Sequence, residues 1–217
     1  MNLLVCGVGG QGVLLFSDII SELALAAGLD VKKSEVHGMA QRGGSVTGHI
    51  RYAPKVFSPL IEEGTADMIV AFEMMEALRY VHFLGPKGRL IYDTHRIDPL
   101  PVSTGVVERP TDEKLSERLA ARVRKAGTAP SQGPVRLPGT VPSSSETDPL
   151  TRVPAFQTAL KLGNARVQNT VMLGAISCFL DFPDKAYHEA ITRLVKPKVV
   201  ELNLKAFAAG QALLASP

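Results

Sequence analysis

The sequence predicts an α/β fold: a three-layer, Rossmann-like domain with a mostly parallel or mixed central sheet and a helical C-terminal region. Short apolar runs alternate with segments of helical periodicity in the first half of the chain, and this alternation is typical of layered α/β domains. The last third is predicted to be almost entirely helical. The 217 residues, 45% of them hydrophobic, suffice to bury a large core without disulfide bonds or structural metals. We therefore expect a single domain over residues 1–217.

The first half of the chain is predicted to contain five strands and two helices. A strand at 3–6, a glycine turn and a helix at 13–27 come first, and Gly28 ends that helix. The other predicted elements of this half are strands at 30–36, 45–52, 68–72 and 89–92, a helix at 73–84 and a turn at Gly85-Pro86-Lys87-Gly88.

The second half begins with a weaker extended piece at 101–107 and an amphipathic helix at 111–125. Between about residues 127 and 150, 15 of 24 residues are Gly, Pro, Ser or Thr and no hydrophobic period is present. This stretch is predicted to be a flexible excursion that interrupts the domain. Helical periodicity then resumes and predicts helices at 155–162, 168–180, 184–194 and 198–214.

Composition excludes several classes of protein. The net charge of +3 is too small and too scattered to indicate a nucleic-acid binder. The sequence contains no apolar run of the ~20 residues that a membrane helix needs, and its start lacks the pattern of a signal peptide. We therefore expect a cytoplasmic location. Cys6 and Cys178 are the only cysteines, too few for an iron–sulfur cluster or a cysteine zinc site, and both are predicted to be buried thiols.

A glycine-rich turn is the first candidate binding element. Gly7, Gly9 and Gly12 follow the pattern G-x-G-x-x-G between a predicted strand and a predicted helix, where backbone N–H groups can approach a phosphate. Gly10 and Gln11 make the turn tighter and more polar than a dinucleotide site requires. A dinucleotide fold also needs an acidic residue about 20 residues further on, and Glu35 is a poor match for it. A free-standing NAD- or FAD-binding protein remains an alternative.

The second candidate element follows the second predicted strand and is expected at the carboxyl edge of the sheet, where α/β proteins place their sites. Histidine can titrate near neutrality, as at His37, Arg42 beside Gln41 offers a fork of donors for a carboxylate or phosphate, and Gly43-Gly44 allows close approach of the backbone. A glycine hairpin with a surface histidine and arginine is the alternative interpretation.

The remaining polar residues point to no separate active site. Glu73 and Glu76 begin a predicted helix, where the helix dipole favours carboxylates without any catalytic role. His188-Glu189 lacks the second histidine of a zinc protease motif, because residue 192 is threonine. The sequence contains neither the G-x-S-x-G motif of hydrolases nor a phosphate loop ending in Gly-Lys-Ser or Gly-Lys-Thr. No metal site is predicted.

Five segments resemble the gamma-type subunits of 2-oxoacid:ferredoxin oxidoreductases. The segments are Gly7-Val8-Gly9-Gly10-Gln11-Gly12, residues 35–44, residues 73–79, and Leu162-Gly163-Asn164 together with residues 169–174. The resemblance spans most of the chain outside residues 110–154, and the stretch at 127–150 aligns with no family feature. Residues 37–44 are most similar to the indolepyruvate branch of the family, whereas the pyruvate and 2-oxoglutarate branches carry a different sequence before the shared Arg-Gly-Gly.

The resemblance implies a subunit that is inactive alone. Thiamine diphosphate and 4Fe-4S clusters would belong to a large alpha subunit, and the complex would decarboxylate an arylpyruvate oxidatively, with coenzyme A as acyl acceptor and ferredoxin as electron acceptor. Another 2-oxoacid as substrate is the alternative within the family. The residues that the resemblance places at the site edge are Gly7, Gly9, Gly10, Gln11, Gly12, His37, Gln41, Arg42, Gly43 and Gly44, with Glu73, Glu76 and Asn169 as possible support.

Overall fold

A six-stranded sheet forms the centre of the protein in the computed structural model, which describes residues 1–37, 43–98, 102, 105, 106, 108, 110–127 and 149–214. Within these residues the strands are β1 (Asn2–Val8), β2 (Asp30–His37), β3 (Ser45–Ala53), β4 (Ala66–Ala71), β5 (Leu84–Asp93) and β6 (Leu150–Val153). The α-helices are α1 (Val13–Ala26), α2 (Met74–Tyr80), α3 (Asp112–Gly127), α4 (Ala155–Lys161), α5 (Gln168–Ser177), α6 (Asp184–Leu194) and α7 (Val200–Leu214).

The sheet is mixed, in the order β2-β3-β1-β4-β5-β6. Strands β1, β4, β5 and β6 are parallel, whereas β3 runs antiparallel to both of its neighbours, β1 and β2. The predicted α/β fold with a mixed central sheet is therefore confirmed. Because β3 runs opposite to β1, it begins at the edge where β1 and β4 end, and Ser45 pairs with Val8.

Helices cover both faces of the sheet and complete the three layers. Along β1, Leu3 and Val5 pack into a hydrophobic cluster with α1 and α4 to α7, whereas Leu4 and Cys6 pack into a second cluster with α2 and α3. This alternation follows from the two-residue period of a strand. Helix α5 is buried along its whole length, as expected of a helix at the centre of a layer.

Helix α1 ends where the sequence predicts. Gly28 has φ +78°, a left-handed conformation that glycine adopts without steric cost. The N–H of Leu29 donates to the carbonyl of Ala24 at 3.0 Å, which satisfies one of the last helical carbonyls in the manner of a Schellman cap. The chain then turns directly into β2.

The turn predicted at Gly85-Pro86-Lys87-Gly88 is wrong, because these residues lie inside β5. Leu84 pairs with Ala66 of β4, and a register shift follows before Arg89 pairs with Met68. A Cβ atom on Gly88 would lie 2.6 Å from the Ala66 carbonyl oxygen, so glycine permits close strand contact here. Proline has no N–H to donate to a neighbouring strand. Pro86 is tolerated because β6 pairs only with the later part of β5, from Leu90 onwards, and so no N–H is required at position 86.

The sequence does not predict strand β6, which begins at Leu150, the last residue of the predicted excursion. Leu150 and Thr151 pair with Leu90 and Ile91 of β5, and Val153 is fully buried. Only four residues long, the strand is too short for a period-2 pattern to stand out. Residues 128–148 of the predicted excursion lie outside the described residues, as do most residues of the predicted extended piece at 101–107.

Two further expectations are corrected. The predicted helix at 73–84 is shorter, because α2 ends at Tyr80 and a 3-10 turn follows at Val81–Phe83. Cys6 is buried as predicted, but Cys178 is exposed, because it lies just past the end of α5. None of the helices in the described parts of the chain combines the length and hydropathy needed to cross a membrane.

Candidate functional site

The sheet edge where β1 and β4 end brings the two predicted binding elements together. The N–H of Gly9, in the turn after β1, donates to the carbonyl oxygen of Gly44 at 2.8 Å. Ser45 then begins β3 opposite Val8. The glycine turn and the end of the 37–44 segment are thus adjacent in space, although Gly9 and Gly44 lie 35 positions apart in sequence.

The glycine turn leaves the start of α1 without a capping side chain. Gly10 and Gly12 have φ +103° and +81°, and Gly12 occupies the N-cap position with no side-chain hydrogen bond. The first turn of α1 also contains no acidic residue. An uncapped helix N-terminus carries partial positive charge and free N–H donors, so this turn has the chemistry to accept an anionic group.

Gln11 holds the turn in place through both polar atoms of its side chain. Its Oε1 accepts a hydrogen bond from the N–H of Val8 at 2.7 Å, and its Nε2 donates to the carbonyl of Phe72 at 2.8 Å. Gly7 makes this possible, since a Cβ atom there would lie 2.9 Å from Gln11 Oε1. Both polar atoms of Gln11 therefore fasten the turn to the ends of β1 and β4.

Asn169, at the start of α5, packs against the other side of the turn. The residue is 2% exposed, and its Nδ2 lies 3.4 Å from the Gly12 carbonyl oxygen in a long hydrogen bond. A Cβ atom on Gly12 would lie 2.8 Å from Asn169 Cγ. Two conditions thus require glycine at position 12, the positive φ and the contact with Asn169.

Glu76 connects this edge to α2. Its carboxylate accepts hydrogen bonds from the Ser45 hydroxyl and, at 3.1 Å, from Nε of Arg79. The hydroxyl of Tyr80 lies 3.2 Å from the Ser45 hydroxyl. Because Glu76 is only 5% exposed, its charge is compensated by these neighbours and not by water. Glu76 therefore anchors the residue that follows Gly44.

Glu73 is the N-cap of α2, as its position in the sequence suggests. Oε2 accepts from the N–H of Glu76 at 2.9 Å and Oε1 from the N–H of Ile97 at 3.2 Å. Burial raises the pKa of the Glu73 carboxyl from 4.5 to about 7, although these N–H donors favour the charged form. Glu73 thus caps α2 and also has a carboxyl pKa near neutral pH.

Sequence reasoning missed the polar cluster at the end of β5. Asp93 is fully buried and accepts hydrogen bonds from the N–H groups of His95 and Phe156 and from Nε2 of Gln168, at 2.8 to 2.9 Å. Burial raises the pKa of its carboxyl to about 6, against the effect of these donors. An aspartate closing a strand at the carboxyl edge was the available signal.

Three predicted site residues remain untested by geometry. His37 ends β2, and its side chain lies outside what the structure describes, as do residues Gln41 and Arg42. Among the described residues no group of three or more His, Cys, Asp or Glu side chains could hold a metal ion.

The geometry argues against a dinucleotide site of the NAD type. In such folds the second strand lies beside the first and ends in an acidic residue that binds the ribose. Here β3 lies between β1 and β2, and Glu35 pairs with Gly48 in the middle of the ladder. Its carboxylate bonds Lys33 at 3.2 Å. Glu35 is therefore one strand too far from the glycine turn.

Comparison with known proteins gives a consistent result. Residues 2–213 match the family described as pyruvate ferredoxin/flavodoxin oxidoreductase. The chain is 39% identical to the indolepyruvate oxidoreductase subunit IorB of Archaeoglobus fulgidus, over 97% of this chain and 93% of that protein. It is 33% identical to the IorB subunit of Pyrococcus horikoshii, over 96% and 93%, and 27% identical to the 2-oxoglutarate synthase subunit KorC of Methanothermobacter marburgensis, over 97% and 94%.

Solved structures share the fold. The gamma subunit of a keto/oxoacid ferredoxin oxidoreductase from Geobacter sulfurreducens aligns over 98% of this chain and 97% of its own, with a TM-score of 0.62 and 20% identity. The pyruvate oxidoreductase subunit PORC of Thermotoga maritima aligns over 98% and 96%, with a TM-score of 0.64 and 19% identity. The family match over nearly the whole length and the identity to the IorB subunits together show that the chain belongs to the pyruvate ferredoxin/flavodoxin oxidoreductase family.

Proposed function

We propose that the chain is the smaller subunit of an indolepyruvate:ferredoxin oxidoreductase. In the overall reaction an arylpyruvate and coenzyme A give an aryl-acetyl-coenzyme A, carbon dioxide and one proton, and the two electrons released pass to two oxidised ferredoxins. The observation that carries the proposal is the 39% identity to an indolepyruvate oxidoreductase subunit over 97% of this chain. The matched part of the chain includes both the glycine turn and α5.

The cofactors are proposed to lie on a large partner subunit. Two cysteines in the whole sequence cannot supply the four thiolates of an iron–sulfur cluster, and the sequence contains no Gly-Asp-Gly thiamine motif. The residues of this chain therefore do not fit either group. On the partner, thiamine diphosphate would supply the carbanion chemistry and the 4Fe-4S clusters would carry electrons towards ferredoxin.

This chain is proposed to contribute one edge of the active site. The uncapped start of α1 favours an anionic group such as a carboxylate or phosphate. The bond between Gly9 and Gly44 holds the glycine turn beside the segment that carries Arg42, whose guanidinium suits the same anions. Glu76 holds Ser45 at the end of that segment. The proposed roles are binding and orientation, and the chemical step takes place on the partner.

A subunit for another 2-oxoacid is the second candidate within the family. The 27% identity to a 2-oxoglutarate synthase subunit supports it less strongly than the IorB identities support an arylpyruvate. A free-standing NAD- or FAD-binding protein is a third candidate, which the position of Glu35 disfavours.

Coexpression with the large subunit tests the proposal. A tagged copy of this chain should retain a larger, brown protein. Only that complex should reduce ferredoxin or a viologen dye when given indolepyruvate and coenzyme A. Pyruvate and 2-oxoglutarate, assayed in parallel, distinguish the two candidates within the family by their kcat/KM values.

Two results would contradict the subunit role. One is turnover of any 2-oxoacid by the isolated chain, and the other is full activity of the large subunit without it. Tight binding of NADH by the isolated chain, measured by fluorescence titration, would favour the dinucleotide alternative instead.

A further inference from the structure

The carbonyl oxygen of Phe72 accepts hydrogen bonds from two glutamine side chains. Phe72 directly follows β4, and its N–H donates to the carbonyl oxygen of Cys6 in β1 at 2.8 Å. Its oxygen accepts from Nε2 of Gln11 at 2.8 Å and from Nε2 of Gln168 at 3.1 Å. A carbonyl oxygen has two lone pairs, so both bonds can form at once. The glycine turn and the start of α5 therefore meet at one backbone atom.

Gln168 also bonds the carboxylate at the end of β5. Its Nε2 donates to Asp93 Oδ2 at 2.8 Å in addition to the Phe72 carbonyl. An amide nitrogen carries two hydrogens, so these two acceptors use both. Gln168 is 3% exposed and Asp93 is fully buried. Since water does not reach these groups, loss of Gln168 would leave each acceptor with one hydrogen bond fewer and no water to replace it.

The residue beside Gln168 contacts the same turn from another direction. Asn169 lies against Gly12, the N-cap of α1. The first two residues of α5 thus contact both supports of the glycine turn, Gly12 directly and Gln11 through the Phe72 carbonyl. A shift of the first turn of α5 displaces both supports together.

We propose that Gln168 is a positioning residue, which fixes the glycine turn by holding the Phe72 carbonyl against Asp93. The proposal rests on the proposed function in treating that turn as an edge of the active site. No direct contact of Gln168 with substrate or cofactor is involved. The role requires glutamine, because glutamate at this position would place a carboxylate beside Asp93 and methionine would remove one hydrogen-bond donor from each of two buried acceptors.

The test compares Gln168→Met with Ser177→Ala. Methionine matches glutamine in length but has no N–H. Ser177 is a buried residue at the other end of α5, about 13 Å along the helix, and its hydroxyl donates to the Gly174 carbonyl. Each variant therefore removes a buried hydrogen-bonding group from the same helix, but only Gln168 is connected to the turn.

Amide hydrogen exchange of the full chain gives a readout that needs no activity. In Gln168→Met, exchange in a peptide covering residues 8–16 should rise roughly tenfold, the effect of losing about one hydrogen bond. In Ser177→Ala, exchange in that peptide should stay at the wild-type rate. Unchanged exchange in Gln168→Met would overturn the proposal.

Kinetics of the coexpressed complex give the second readout. Because a small displacement of a binding group costs up to about a hundredfold in rate, Gln168→Met should lower kcat/KM by roughly ten- to a hundredfold and Ser177→Ala should not. Combined with Gln11→Met, the effect should be less than the product of the two single effects, since both act through the Phe72 carbonyl. If the two substitutions lower kcat/KM independently, so that their effects multiply, the two glutamines do not act through the shared Phe72 carbonyl.

The two readouts separate this proposal from the proposed function. If the wild-type complex does not oxidise arylpyruvates but exchange at the turn rises in Gln168→Met, the positioning of the turn by Gln168 stands and the assigned substrate is wrong. If the complex is active and neither exchange nor kcat/KM changes in Gln168→Met, the proposed function stands and Gln168 has no positioning role.

Discussion

Gly174 in α5 and Gly210 in α7 each lie directly against the backbone of the opposite helix. A Cβ atom on Gly174 would lie 2.0 Å from the Phe207 carbonyl oxygen, and one on Gly210 would lie 2.0 Å from the Val171 carbonyl oxygen. These distances are far shorter than any non-bonded contact between carbon and oxygen. The two helices can therefore approach this closely only because both positions are glycine. The contact places α7 against the buried helix that carries Gln168 and Asn169.

We expect Gly174→Ala and Gly210→Ala each to destabilise the protein by roughly 1 to 3 kcal/mol or more, because a backbone atom cannot move aside as a flexible side chain can. On helix propensity alone, both changes would stabilise by about 1 kcal/mol. Urea unfolding measures the difference. Ala208→Gly, at an exposed position of α7, is the control and should cost only about 1 kcal/mol. Stabilisation by either alanine would show that the helices are not in this close contact.

Glu73 predicts a pH dependence of stability. Its pKa is raised from 4.5 to about 7 by burial, so the folded protein binds this proton more tightly than the unfolded chain does. The stabilisation is therefore complete below pH 4.5 and is lost as the pH rises to about 7. A pKa difference of this size corresponds to roughly 3 kcal/mol. In Glu73→Gln the free energy of unfolding should fall less steeply between pH 4.5 and 7 than in the wild type.

Urea titrations of both proteins at intervals across this range measure the two slopes. Asp93, whose pKa is raised to about 6, contributes a slope of the same sign in both proteins, so the difference between them isolates Glu73. Parallel curves for the wild type and Glu73→Gln would show that Glu73 titrates at its ordinary pKa.

The fold could largely be predicted from the sequence because its elements follow local patterns. Helix α1 has a helical period and a glycine stop, and β1 is a short apolar run before a glycine turn. The misassigned segments depend instead on distant partners. Gly85 to Gly88 resemble a turn but extend a strand because β4 lies beside them, and β6 forms because β5 presents an open edge. Pairing across the sheet overrides local propensity at both places.

The candidate site was predicted less completely, for the same reason. The glycine pattern identifies the turn, but the sequence cannot show that both polar atoms of the Gln11 side chain bond to the backbone. Gln168 has no motif around it and becomes relevant only because α5 brings it to the end of β4. Polar residues that act through backbone atoms leave no spacing signal, since their partners are fixed by the tertiary fold.

The contact between Gly12 and Asn169 predicts a difference between two glycines of the same turn. Gly10→Ala and Gly12→Ala both place alanine at positive φ, at a cost of roughly 1 to 2 kcal/mol each. Only Gly12 has a neighbour within 4 Å of the added Cβ atom, namely Asn169. Gly12→Ala should therefore lower the free energy of unfolding by roughly 1 to 3 kcal/mol more than Gly10→Ala.

The double variant Gly12→Ala, Asn169→Ala checks the cause of that difference. Shortening Asn169 removes the clash, so the double variant should lose less stability than the sum of its two single variants. Equal losses in Gly10→Ala and Gly12→Ala would show that backbone strain alone requires glycine in this turn.

Arg42 is predicted to bind an anion through its planar guanidinium, a geometry that lysine does not reproduce. In the coexpressed complex, Arg42→Lys should lower kcat or raise the KM for coenzyme A by an amount equivalent to roughly 1.5 to 3 kcal/mol. Its circular dichroism spectrum should not change. Arg124→Lys, at an exposed position of α3, is the matched control. Wild-type kinetics in Arg42→Lys would make Arg42 an ordinary surface residue.

The last prediction concerns the Pro-, Ser- and Thr-rich stretch between α3 and β6. Replacing residues 128–148 with a short Gly-Ser linker should leave folding and partner binding intact, because halving the length of a connecting segment changes its closure free energy by only about 0.6 kcal/mol. Pro149 must stay, since its carbonyl accepts a hydrogen bond from the N–H of Leu90. Thermal unfolding and retention of the large subunit on gel filtration measure the outcome. A deletion extended through residue 153 is the control, and it should lower the Tm sharply because it removes β6 and the fully buried Val153. If replacing residues 128–148 alone lowers the Tm as much as the control deletion does, the stretch packs against the domain or its partner.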